Sequence, residues 1–226
     1  MSKVFEIKRL ILSDMLKAFT MFWLTLTGFL FIGYVIASFM GTSIVLLVWP
    51  IFLVWLCANS FLITKNNLNY ALKLGATRTQ FFAGSVLILL IAVLVGQLIH
   101  RVYLFVLPNV AAALSIENVT LIGFQEVLPE LSTLYAFGYD LTFAFFLLGI
   151  FYLIGVIRYQ YGIVPVYVLA GSLGVLLLIP MTRDGVTSWL RMLYQGEALG
   201  TFFLLAIIGV VACLASQPVL RKMTLR

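Results

Sequence analysis

Residues 19–40, 43–63, 81–107, 135–157, 163–181 and 200–215 are stretches of nearly unbroken apolar sequence. Each is close to the roughly 20 residues that a helix needs to cross a hydrocarbon layer about 30 Å thick. In lipid every backbone N–H and C=O must find its partner inside the protein, so each stretch is expected to be a helix. Composition leaves no soluble alternative. Of the 226 residues 63% are hydrophobic and 10% charged, with a mean hydropathy of +1.15, whereas a soluble domain is about half apolar and about a quarter charged. The chain reads as an all-α, polytopic membrane protein with six transmembrane helices, forming one domain over residues 1–226.

Charge gives the orientation. Apart from Arg101, Arg183 and Arg191, every lysine and arginine falls at the termini, in the 64–80 segment or just after the fourth stretch. The acidic residues Glu117, Glu126, Glu130, Asp140, Asp184 and Glu197 fall on the other side. Basic residues stay in the cytoplasm, so both termini are expected there, in the plasma membrane of a bacterium. Residues 1–18 alternate polar Lys3, Glu6, Arg9, Ser13 and Lys17 with apolar Val4, Ile7, Ile11, Met15 and Ala18 at helical spacing. That pattern predicts an interfacial amphipathic helix and no cleavable signal peptide. The outer loop, 108–134, contains two apolar patches, 110–114 and 119–124, which suggest short helices or turns resting on the outer leaflet.

The same residues exclude several kinds of chemistry. The net charge of +6 is dispersed beside apolar runs, so no continuous nucleic-acid surface exists. Cys57 and Cys213 lie inside apolar runs and have no metal-ligand spacing. The single histidine, His100, has no carboxylate or cysteine at helical spacing, which predicts packing or snorkelling rather than an acid/base or zinc role. Ser85 and Ser172 follow glycines, but the Gly-x-Ser-Gly pattern of intramembrane serine proteases is absent. No glycine is followed by lysine, so the chain carries no phosphate-binding loop of the Gly-x-x-x-x-Gly-Lys-Ser/Thr kind. Arg101 and Asp140 sit at the outer ends of the third and fourth stretches, where they form a candidate outer gate pair.

The informative segment is the cytoplasmic loop 64–80. Leu68, Ala71, Leu72 and Gly75 fall at helical spacing, Gly75 supplies a stop, and Thr77-x-x-Gln80 has the form of a capping box opening the next helix. A short coupling helix turning sharply into a membrane helix is expected. The stretch Ala71-Leu-Lys-Leu-Gly-Ala-Thr-Arg-Thr-Gln-Phe-Phe82 resembles the Leu-Gly-x-Thr/Ser-Arg-x-x-Phe segment of permease subunits of bacterial ABC transporters, in the type-2 exporter family.

That resemblance implies a transport subunit rather than an enzyme. It implies a coupling region contacting a separate cytoplasmic ABC ATPase through Tyr70, Leu72, Leu74, Gly75 and Arg78. ATP and Mg would be held by that partner, with no cofactor in this chain. A second permease subunit, identical or not, would complete the pathway. One feature departs from the family: its re-entrant outer helices lie between spans five and six, whereas here that connection, 182–199, is short and 108–134 is longer. The apolar, aromatic interior points to an amphipathic peptide or lipid-like cargo. Two other classes stay open: a substrate-capture subunit of a vitamin importer, although the first stretch lacks Ala-x-x-x-Ala, and an intramembrane hydrolase.

Overall fold

The computed structural model describes residues 3–40, 43–114, 116, 118–122, 133–194 and 199–223. Helix α1 spans Lys3–Met40, α2 Trp49–Lys73, α3 Arg78–Ala113, α4 Thr133–Tyr161, α5 Val164–Leu178, α6 Pro180–Tyr194 and α7 Leu199–Lys222. Two short strands, β1 (Ile44–Leu47) and β2 (Val119–Ile122), pair in parallel, Ile44 opposite Val119 through Leu47 opposite Ile122.

Among the described residues, four helical segments are long and apolar enough to cross a membrane: Ile11–Phe39, Arg78–Ala113, Thr133–Tyr161 and Phe203–Lys222. A fifth is added if α5 and the first part of α6, which meet at 89°, count as one broken span. The 43–63 stretch accounts for the shortfall against six. Its first residues form β1 instead of helix, so the apolar part of α2 begins only at Trp49 and ends before Lys65. Ile and Val suit a strand as well as a buried helix, and the partner strand lies at 119–122, where turns or short helices were expected. Residues 110–113 continue α3 rather than forming a separate outer element.

Two further expectations change in the same way. Residues 3–18 and 64–73 are not separate helices but the ends of α1 and α2. Neither junction carries a proline or a glycine to break it, and Thr20, Thr64, Asn66 and Asn67, which could cap a new helix, stay inside continuous ones, so the membrane helices run on. The 163–181 stretch, by contrast, does break. Pro180 disfavours helical backbone at the residue before it, and Ile179 is extended with ψ 120°. α5 therefore stops at Leu178.

Packing depends on small residues and rings. A Cβ on Gly149 would lie 1.8 Å from the carbonyl oxygen of Gly209, and one on Gly155 would lie 2.4 Å from that of Phe61. α4 thus touches α7 and α2 backbone to backbone, the close approach that glycine permits in lipid. α1 and α2 meet through Phe19, Phe22, Trp23, Phe52 and Trp55, with Trp23 stacked on Phe52 at 5.5 Å. Gly96 of α3 leaves room for the Phe52 ring. α5 buries none of its residues.

Candidate functional site

Two sites emerge, one at each end of the bundle. At the basic end, α2 terminates in a Schellman motif: Ala76 N–H donates to Ala71 O at 2.9 Å and Gly75 N–H to Leu72 O at 3.0 Å. Gly75 has φ +85°, a left-handed conformation in which an L side chain is strained. Two residues later the capping box closes: Gln80 N–H donates to Thr77 Oγ1 at 3.2 Å, and Thr77 N–H donates to Gln80 Oε1 at 2.9 Å. The chain reverses from α2 to α3 across only Leu74–Thr77. Gly75→Val is expected to destabilise this elbow by about 1–2 kcal/mol, read as a lowered unfolding midpoint in detergent. Gly75→Asn should lose much less, because asparagine tolerates this conformation.

Of the residues expected at the partner contact, Tyr70 is 64% exposed and Leu74 44% exposed, and Gly75 lies open at the turn. Leu72 is half-buried. Arg78 is engaged inside the chain, because its Nη1 donates to Arg221 O at 2.6 Å and ties α3 to the end of α7. Nearby, Tyr159 OH donates to Asn69 Oδ1 at 2.6 Å, and the Arg158 guanidinium lies 4.6 Å from the centroid of Phe61. Beside the elbow, α1 and α2 enclose a cleft of about 360 Å³ whose polar lining is Asp14, Asn59, Asn66, Asn67 and Tyr70.

At the other end Arg101 and Asp140 meet. Arg101 Nη2 donates to Asp140 Oδ2 at 2.8 Å, and Gln97 Nε2, one turn earlier on α3, donates to the same oxygen at 3.0 Å. Asp140 is 1% exposed and the Arg101 side chain 16%, with the guanidinium 5.9 Å from the Phe137 centroid. His100 is wholly buried and stacks on Trp49 at 5.2 Å, so it packs rather than snorkels. Among the described residues both of its ring nitrogens, Gln97 Oε1, Asp140 Oδ1 and Arg101 Nε have no hydrogen-bond partner. Gln97 was legible as a third polar residue at i−4 from Arg101. Nothing in the sequence pointed to Trp49.

The other candidates are structural. Ser85 Oγ lies 2.7 Å from Tyr152 OH and donates to Phe82 O, a buried link between α3 and α4. Ser172 is exposed and bonds Leu169 O. Both cysteines are free thiols. Among the described residues no group of His, Cys, Asp or Glu is placed to hold a metal. Comparison with models of known protein families finds no match, and none is found among characterised proteins or solved structures.

Proposed function

We propose that this chain is the membrane subunit of an ATP-driven transporter, similar to the permeases of the type-2 ABC exporter family, worked by a separate ATPase at its basic end. In this reading α2 also crosses the bilayer, because it packs along α4 and against α3, and the α5–α6 pair makes the sixth crossing with its bend near the outer surface. Both termini then lie in the cytoplasm with Lys65, Lys73, Arg78, Arg158, Arg221 and Lys222. After the bend, α6 runs into the short connection between the last two spans, the point at which the chain departs from the family's re-entrant outer helices.

The observation that carries this proposal is the elbow. A Schellman stop and a capping box join α2 to α3 with no slack, and Tyr70 and Leu74 project beside the turn. A push on those side chains moves two membrane helices as rigid bodies, the kind of element that switches a transporter. The Arg101–Asp140 pair is then the outer gate. A second copy or a homologous permease completes the pathway, and amphipathic or lipid-like molecules are the cargo.

The test is purification of the tagged chain from its native membrane, followed by mass spectrometry and an ATPase assay. An ATP-hydrolysing subunit should co-purify. Tyr70→Glu combined with Leu74→Glu should weaken its retention about tenfold or more, as loss of a central contact does, with no change in the amount of chain in the membrane. Absence of any ATPase, or retention unaffected by both charges, overturns the proposal.

A further inference from the structure

The helices are unequal in length, and the excess lies at one end. From Arg78 to Arg101 α3 rises about 35 Å, and α4 descends about 27 Å from Asp140 to Arg158, at about 1.5 Å per residue. Both distances match a hydrocarbon layer of about 30 Å, so the Arg101–Asp140 pair marks its outer edge. α3 continues beyond that level to Ala113. Tilting does not absorb the excess, since 36 residues inclined at about 40° still rise about 41 Å. α1 runs alongside, its Thr27 Oγ1 2.5 Å from Tyr103 OH, and Leu46 of β1 rests on Gly33. The outer halves of α1 and α3 therefore stand among and above the outer headgroups.

Between those halves lies a cleft of about 250 Å³. It is larger than the roughly 150 Å³ apolar cavity that accepts a benzene-sized guest. Its walls are apolar, among them Leu30, Phe31, Val35, Leu107 and Ala111, and the Thr27–Tyr103 hydroxyl pair lies at its lower end. One polar atom of the lining stays unsatisfied among the described residues, the buried Tyr34 hydroxyl. An apolar cleft at headgroup depth is costly to leave to water.

The cleft is continuous with the lipid-facing surface. On α3, Ile91, Leu94, Leu98, Val102 and Val106 are all exposed and form a ridge at three- and four-residue steps, which leads to Val110 at the cleft. On α1, Leu24 and the open face of Gly28 lead to Phe31 and Val35. We propose that this cleft holds the acyl chain of a lipid raised out of the outer leaflet along the α1–α3 groove, with the Tyr34 hydroxyl donating to the ester carbonyl. This names the substrate class and site of the transporter reading, and it rests on the membrane placement used there.

The experiment uses the full chain reconstituted into phosphatidylcholine–phosphatidylglycerol vesicles containing a phospholipid with a diazirine at the end of one acyl chain. After irradiation, peptide mapping should find label on residues 103–114 as well as on 91–98. Val110→Trp at the rim, or Ala111→Trp in the wall, should reduce the 103–114 label at least fivefold and leave the 91–98 label intact, which also reports folding. Tyr34→Phe should lower it several-fold, as loss of one hydrogen bond does. Label confined to 91–98, or label on 103–114 that neither tryptophan displaces, overturns the proposal. No ATPase is needed for the measurement. Its failure alongside ATPase co-purification would sink this site alone, and its success without any ATPase would sink only the ATP-driven reading.

Discussion

Arg101→Met is expected to destabilise the protein by about 3–5 kcal/mol, the loss seen when one partner of a buried ion pair is removed. Asp140 is left 1% exposed on a short side chain that cannot reach the surface, keeping only the Gln97 amide as a donor. Asp140→Leu should do less harm. The Arg101 side chain is long and already 16% exposed, so it can turn its guanidinium toward the headgroups. The double variant Arg101→Met/Asp140→Leu should be more stable than Arg101→Met alone, because no uncompensated charge remains. Unfolding midpoints in detergent for the four proteins form a double-mutant cycle that isolates the pair. Simple additivity would mean that the contact contributes nothing. In the gate reading the double variant should also release the outer ends of α3 and α4 and raise substrate-independent ATPase activity.

What the sequence made legible is mostly what is local. Gly75, Thr77 and Gln80 lie within six residues of one another, and their hydrogen bonds are fixed by backbone geometry that no distant element can change. The apolar runs mark α3, α4 and α7 because lipid rewards length and hydropathy alone. Arg101 and Asp140 could be named as a candidate pair in advance because they fall at the outer ends of consecutive apolar stretches, which an antiparallel hairpin brings side by side.

The strand at 44–47 was not legible. Ser43-Ile-Val-Leu-Leu47 suits a buried helix as well as a strand, and the choice is made by residues 119–122 far along the chain. Similarly, the polar and apolar alternation of residues 3–18 describes which face is wet but not where a helix ends. The bend at Ile179 was written in Pro180, yet the apolar run carried the sixfold reading across it. Arg78 illustrates a different limit. The resemblance of the 71–82 stretch implied an external partner for it, and nothing local told that its guanidinium also bonds the carbonyl of Arg221, which only the folded bundle brings near.

The other large effect is expected in the middle of the bundle. Gly149→Ala places a methyl group 1.8 Å from the Gly209 carbonyl oxygen, and the reverse change, Gly209→Ala, places one 2.4 Å from the Phe145 carbonyl oxygen. The obstructing atoms are backbone, so no rotamer change relieves the clash and α4 and α7 must move apart. Helices in lipid gain nothing from apolar burial against one another and hold together by close packing, so separation should cost about 3 kcal/mol or more. Because the clash arises at Cβ itself, alanine should already produce most of the loss and valine add little. That ordering distinguishes backbone contact from ordinary overpacking, in which the larger side chain does most of the damage. The comparison is Gly171→Ala and Gly174→Ala on α5, where no atom lies within 4 Å and the change should stay within about 0.5 kcal/mol. Thermal unfolding of the four variants in one detergent reads the contrast, and an unaffected Gly149→Ala would mean that the two helices do not approach this closely.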